Sequence, residues 1–92
     1  MKTRWKGWAM ALVGAGVLVG GCASTRAVHE ARMEFQRAEQ AGAERTAPYE
    51  YHAAKGYLEF AADEAEEYDA KAASTYAGKS KEFAAKALEK SQ

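Results

Sequence analysis

The chain has 92 residues, 28% of them charged, with 13 basic and 13 acidic side chains in formal balance. So short a chain buries only a small core, and a single cysteine, Cys22, leaves no internal disulfide to reinforce it. The absence of a basic excess argues against a nucleic-acid partner.

The first 21 residues differ from the rest. Lys2, Arg4 and Lys6 form a positive head, Trp8 to Val19 form an apolar run interrupted by Gly14 and Gly16, and 15 uncharged residues extend from Gly7 to Gly21. A spanning helix needs about 20 apolar residues, so residues 1–21 read as a cleaved secretory signal. The run ends Leu18-Val19-Gly20-Gly21-Cys22, which resembles the lipobox of bacterial lipoproteins. Glycine there leaves the backbone bare for a peptidase acting inside the membrane. The resemblance implies cleavage between Gly21 and Cys22, a thioether-linked diacylglycerol on Cys22 and an added N-acyl chain. Ala23 in the next position implies sorting to the outer membrane, facing the periplasm. Stable anchoring takes more than one acyl chain. Without residues 1–21, ten basic and thirteen acidic residues remain, a net charge of −3. Attachment then rests on lipid rather than on a polybasic patch.

After Cys22 there are two leucines (Leu58, Leu88), one valine (Val28) and no isoleucine. Alanine and aromatic residues must therefore carry the packing, in a composition that favours helix throughout. Residues 22–26 read as the lipidated cysteine and a short polar tether, with Ser24 or Thr25 as N-cap. Val28, Ala31, Phe35, Ala38 and Gly42 recur three and four apart, predicting a helix over about 26–41. Its charged face includes Glu34 and Arg37, one turn apart. Gly42 suits the left-handed closure of that helix. Pro48 suits the first turn of the next, with Thr46 or Ala47 as cap. Residues 42–47 are then a turn short enough to set the flanking helices antiparallel.

Beyond Pro48, the stripe Ala54, Leu58, Ala61, Ala65, Tyr68, Ala72 and Tyr76 continues without a phase change, as one long helix would require. Asp69 is a good N-cap and points instead to two helices, about 48–66 and 69–90. Glu59, Asp63, Glu64, Glu66, Glu67 and Asp69 precede a stretch dominated by Lys71, Lys79, Lys81, Lys86 and Lys90.

The run Gly42-Ala43, then Ala47-Pro48-Tyr49-Glu50-Tyr51, Ala54, Leu58, Ala61 and Tyr68-Asp69 with Lys71-Ala72, resembles the small alanine-rich lipoprotein domain of Gram-negative bacteria. Members of that family stand alone after a lipobox or precede an OmpA-like peptidoglycan-binding domain. Tyr68-Asp69-Ala70-Lys71-Ala72 with Tyr76 and Lys79 is also similar to the second helix of a tetratricopeptide repeat. The resemblance implies an all-α, TPR-like antiparallel hairpin or bundle of two or three helices over 27–90.

The sequence offers little chemistry. His29 and His52 have no second ligand at zinc-like spacing, Glu59, Asp63 and Glu67 lack a calcium-loop glycine, and no serine has a nucleophile context. The chain reads as no enzyme, with no metal, no cofactor other than the lipid on Cys22, and no small-molecule substrate. Phe35, Tyr57, Leu58 and Phe83 are the expected core anchors, with Tyr68 and Tyr76 at core spacing. Tyr51 and Phe60 are placed off the stripe as an exposed surface for a partner, and truncating Tyr51 is expected to cost less than about 1 kcal/mol. The expected function is a lipid-anchored helical interaction module, its partner an envelope protein of OmpA-like or peptidoglycan-associated type. The alternative is a coiled-coil oligomer resembling murein lipoprotein, linking outer membrane and peptidoglycan, although Gly42 and Pro48 interrupt a continuous coil.

Overall fold

Alanine is the strongest helix former and, placed every third and fourth residue, gives a smooth face on which helices approach closely. The computed structural model describes residues 23–92, and all its regular elements are α-helices. Helix α1 is described from residue 23 to residue 40, α2 is the single turn Ala43–Thr46, α3 spans Pro48–Glu66 and α4 spans Ala70–Lys90. The three long helices run up, down and up. The signal segment, Gly21 and Cys22 lie outside the described residues.

Helix α1 begins earlier than the tether reading allowed. Residues 23–26 are already helical, since no proline or glycine between Ala23 and Ala27 stops the helix and Ser24 and Thr25 lower its stability only modestly. At its other end Gly42 takes φ 82 and its N–H bonds the Glu39 carbonyl at 3.0 Å, the left-handed closure expected there. Residues 43–46 then make a short helix rather than an open turn. Its carbonyls are used at once: Ala47 N–H donates to Ala43 at 2.8 Å. Pro48 opens α3 at its first turn, where its missing N–H costs nothing.

Helices α3 and α4 are separate, and the connection is a Schellman closure. Asp69 N–H reaches the Glu64 carbonyl at 2.9 Å and Tyr68 N–H reaches Ala65 at 3.1 Å. The Asp69 side chain then caps α4, accepting from Ala72 N–H at 3.0 Å. Tyr68 occupies the left-handed position of this motif at φ 63. It is 95% exposed, not packed as the continuous stripe implied. A residue with a Cβ costs about 1–2 kcal/mol in that conformation. Tyr68→Gly is therefore expected to raise stability by about 1 kcal/mol, read as a later chemical-denaturation midpoint.

The break resets the helical phase, so the buried face of α4 is Ala73, Ala77, Ser80, Ala84 and Ala87, one residue later than the extrapolated stripe. It packs on Ala54, Leu58 and Ala61 of α3 and on Val28, Ala31, Phe35 and Ala38 of α1. Ser80 is fully buried without penalty because its hydroxyl donates to the Ala54 carbonyl at 2.7 Å, across a contact where a larger side chain would not fit.

Tyr51 belongs to this core. It is 3% exposed, its ring centroid is 4.9 Å from that of Phe35, and its hydroxyl donates to Glu39 Oε2 at 3.1 Å. Its placement off the stripe is corrected: Tyr51, Ala54, Leu58 and Ala61 are three, four and three apart, so the stripe starts one turn earlier. Burial, the Glu39 hydrogen bond and the nearby carboxylates of Glu39 and Glu44 together raise the Tyr51 phenol above its ordinary value.

Polar links fix the relative positions of the helices. Thr46 and Ser91 hydroxyls meet at 2.7 Å, joining the α1–α3 connection to the end of α4. Glu34 pairs with Arg37 along α1 at 3.6 Å, Lys81 reaches Glu30 across to α1 at 3.4 Å, and Lys90 pairs with Glu50 across to α3. Exposed pairs of this kind contribute little stability individually.

Candidate functional site

The large side chains that the core does not absorb gather on one face. At about 100° per residue, Tyr49, Gly56, Tyr57 and Phe60 share a side of α3, and Tyr76, Lys79, Phe83 and Lys86 share the adjoining side of α4. In the folded chain they form one continuous aromatic strip along the seam between the two helices. Tyr57 is its centre: Phe83 stacks on it at 5.8 Å with planes 9° apart, and Tyr76 stacks at 6.1 Å and 25°. Phe60 extends the strip at one end, 5.5 Å from Tyr76 and 6.3 Å from Tyr57. Tyr49 extends it at the other, edge-on to Phe83 at 6.1 Å, and the Lys86 ammonium lies over Phe83 at 5.4 Å.

The strip is only partly covered by its own chain. Tyr49 is 71% and Phe60 55% exposed, while Tyr57, Tyr76 and Phe83 are half-buried. Phe60 is thus where the sequence placed it, on the surface, but its companions are Tyr49, Tyr57, Tyr76 and Phe83. Tyr51, nine residues from Phe60, faces the opposite way into the core. Tyr57 and Phe83, expected as buried anchors, instead support the surface strip. Tyr57 is stacked with both Phe83 and Tyr76, so flat ring surface at the centre of the strip is taken up within the chain. Such a surface suits packing by another chain's side chains better than a sugar ring lying flat on an aromatic face.

Charge is divided by helix beneath this strip. Helix α3 carries five carboxylates and one lysine, and α4 carries five lysines and two carboxylates. At the distal end the Glu50 carboxyl is held below the usual carboxylate range, chiefly by its hydrogen bond from Lys90 and secondarily by a backbone hydrogen bond. The stability linked to that depression is present above the ordinary glutamate value and is lost as pH falls through the lowered one.

On the opposite side, a shallow groove between α1 and α3 is lined by Arg32, Phe35, Glu39, Lys55, Leu58 and Glu59. His29 and His52 are exposed, and His52 is edge-on to Tyr51 at 5.1 Å. Among the described residues, Glu59, Asp63 and Glu67 line a solvent-facing surface, and no three histidine, cysteine or acidic side chains converge as metal ligands. None of the described helices is long and apolar enough to cross a membrane. No protein-family model, curated protein or solved structure matches the chain.

Proposed function

We propose that this chain is a lipid-anchored lipoprotein of the outer membrane, facing the periplasm, and that it acts as a non-catalytic helical interaction module of the cell envelope. The observation that carries the interaction half is the aromatic strip on α3 and α4. Five rings lie on one face, two of them more than half exposed, on a fold whose interior is filled by alanines with Val28, Phe35, Tyr51 and Leu58. A contiguous exposed apolar face on a soluble helical domain marks a contact surface. The anchoring half rests on the lipobox resemblance at Leu18 to Cys22, with no cofactor beyond the lipid on Cys22. Envelope proteins of the OmpA-like or peptidoglycan-associated kind are the partner class that the domain resemblance suggests. The module reading is favoured over a murein-lipoprotein-like coil because α1, α3 and α4 fold back on one another within one chain.

The test is lipid labelling in the native host. Wild type should incorporate labelled palmitate and partition into the detergent phase, and Cys22→Ala should lose both. Equal labelling of the two forms would overturn the anchoring reading while leaving the strip unaffected.

A further inference from the structure

We infer that the occupant of the aromatic strip is a second copy of this chain, packed in parallel so that α3 of each copy lies over α4 of the other. The inference rests on reading the strip as a protein-contact surface and adds the identity and orientation of what covers it.

Charge selects the arrangement. A two-fold axis running along the seam, parallel to the helices, places each α3 over the other copy's α4 at the same level. At about 100° per residue the charges on the strip side are Asp63 and Glu64 on α3 and Lys79 and Lys86 on α4, so an acidic side then faces a basic one, twice over. The levels also match. Within one chain Ala54 is level with Ser80, and Lys90 reaches Glu50 through its long side chain. In the dimer Tyr49 therefore comes level with Lys86 of the second copy, and Glu64 with its Lys71. The alternative axis, across the seam, packs α3 on α3 and α4 on α4, so that like charges face each other and oppose association.

Shape points the same way. Tyr49 and Phe60 stand exposed beside the seam, while Gly56 leaves that side of α3 low. A Cβ at Gly56 would meet nothing within 4 Å in its own chain, so its bareness serves no internal packing and leaves room for another backbone. The parallel arrangement also brings residue 23 of both copies to one pole, as two chains anchored in one membrane require. An antiparallel pair would send them to opposite poles.

The inference is tested in cells with two differently tagged full-length forms, one carrying Tyr49→Cys and the other Lys86→Cys. The two positions come to the same level across the parallel interface. The expected result is a disulfide joining the two tags, at least about tenfold more abundant than with Tyr49→Cys and Glu64→Cys, equivalent to a preference of about 1.4 kcal/mol. The chain with no added cysteine controls for Cys22. A dominant Tyr49–Glu64 product would overturn the parallel arrangement. No joined product from either pair would overturn the second copy altogether. A photoreactive residue at Phe60 then separates the two readings: an adduct with a different protein overturns only the second copy, whereas no protein adduct overturns the contact surface as well.

Discussion

Phe35→Ala and Tyr51→Ala are each expected to unfold most of the chain. The two rings pack against each other between α1 and α3, and both are almost fully buried. Truncating a buried aromatic to alanine costs about 3–5 kcal/mol, and a core of this size supplies a net stability of only about 3–5 kcal/mol. Tyr51→Phe separates ring from hydroxyl, losing the bond to Glu39 for about 1 kcal/mol and keeping the packing. Far-ultraviolet circular dichroism through a denaturant titration is the appropriate measurement, with the order of stability expected as wild type, Tyr51→Phe, then the two alanine variants. The Tyr51 phenol adds a pH signature. Its folded pKa is raised, so the associated stability is complete below the ordinary tyrosine value and declines as pH rises towards the raised one. Tyr51→Phe should remove this alkaline component. A Tyr51→Ala chain that melts like wild type would show that α1 does not depend on this contact.

Ala84→Leu is expected to be the next most damaging change after these two, although it adds apolar surface to an apolar site. Ala84 has no exposure, and its neighbours on the same face are Ala77, Ser80 and Ala87. Ser80 lies against the backbone of Ala54 closely enough for a 2.7 Å hydrogen bond to its carbonyl, so α3 and α4 have little room between them. Extra carbons in such a contact force helices apart or side chains off rotamer, at about 1–3 kcal/mol and occasionally more. Opening the seam would also disturb the stacked rings above it. Ser80→Ala, which removes only the hydroxyl, should cost about 1 kcal/mol. A denaturation midpoint for Ala84→Leu at or above that of wild type would mean that the seam has slack.

The fold was largely readable because its punctuation is local. Gly42, Pro48 and Asp69 act through their own backbone or the next turn, and the structure uses each in the expected role. What could not be extrapolated was phase across a break. Tyr68, Ala72 and Tyr76 continue the α3 stripe numerically, but a residue at φ 63 reorients the chain and moves the buried face of α4 by one residue. Tyr51 was legible and was misplaced, since it continues the Ala54, Leu58, Ala61 series backwards by one step of three. The strip was only half legible. Phe60 is recognisable as off-stripe from its own helix, whereas its grouping with Tyr49, Tyr76 and Phe83 depends on how α4 is rotated against α3. No single-helix pattern contains that information.

The Thr46–Ser91 link has a mechanical consequence. It places the end of α4 beside the top of α1, at the pole opposite residue 23. Three long passes are an odd number, so the polypeptide leaves the bundle at the end where it did not enter, separated by the length of a 21-residue helix, about 30 Å. A two- or four-pass bundle would return the chain to its origin and act as a knob on the surface. This one is a strut: a load applied at Ser91 is carried lengthwise through the helices to residue 23, and a reporter fused there would stand off from its base by a fixed height.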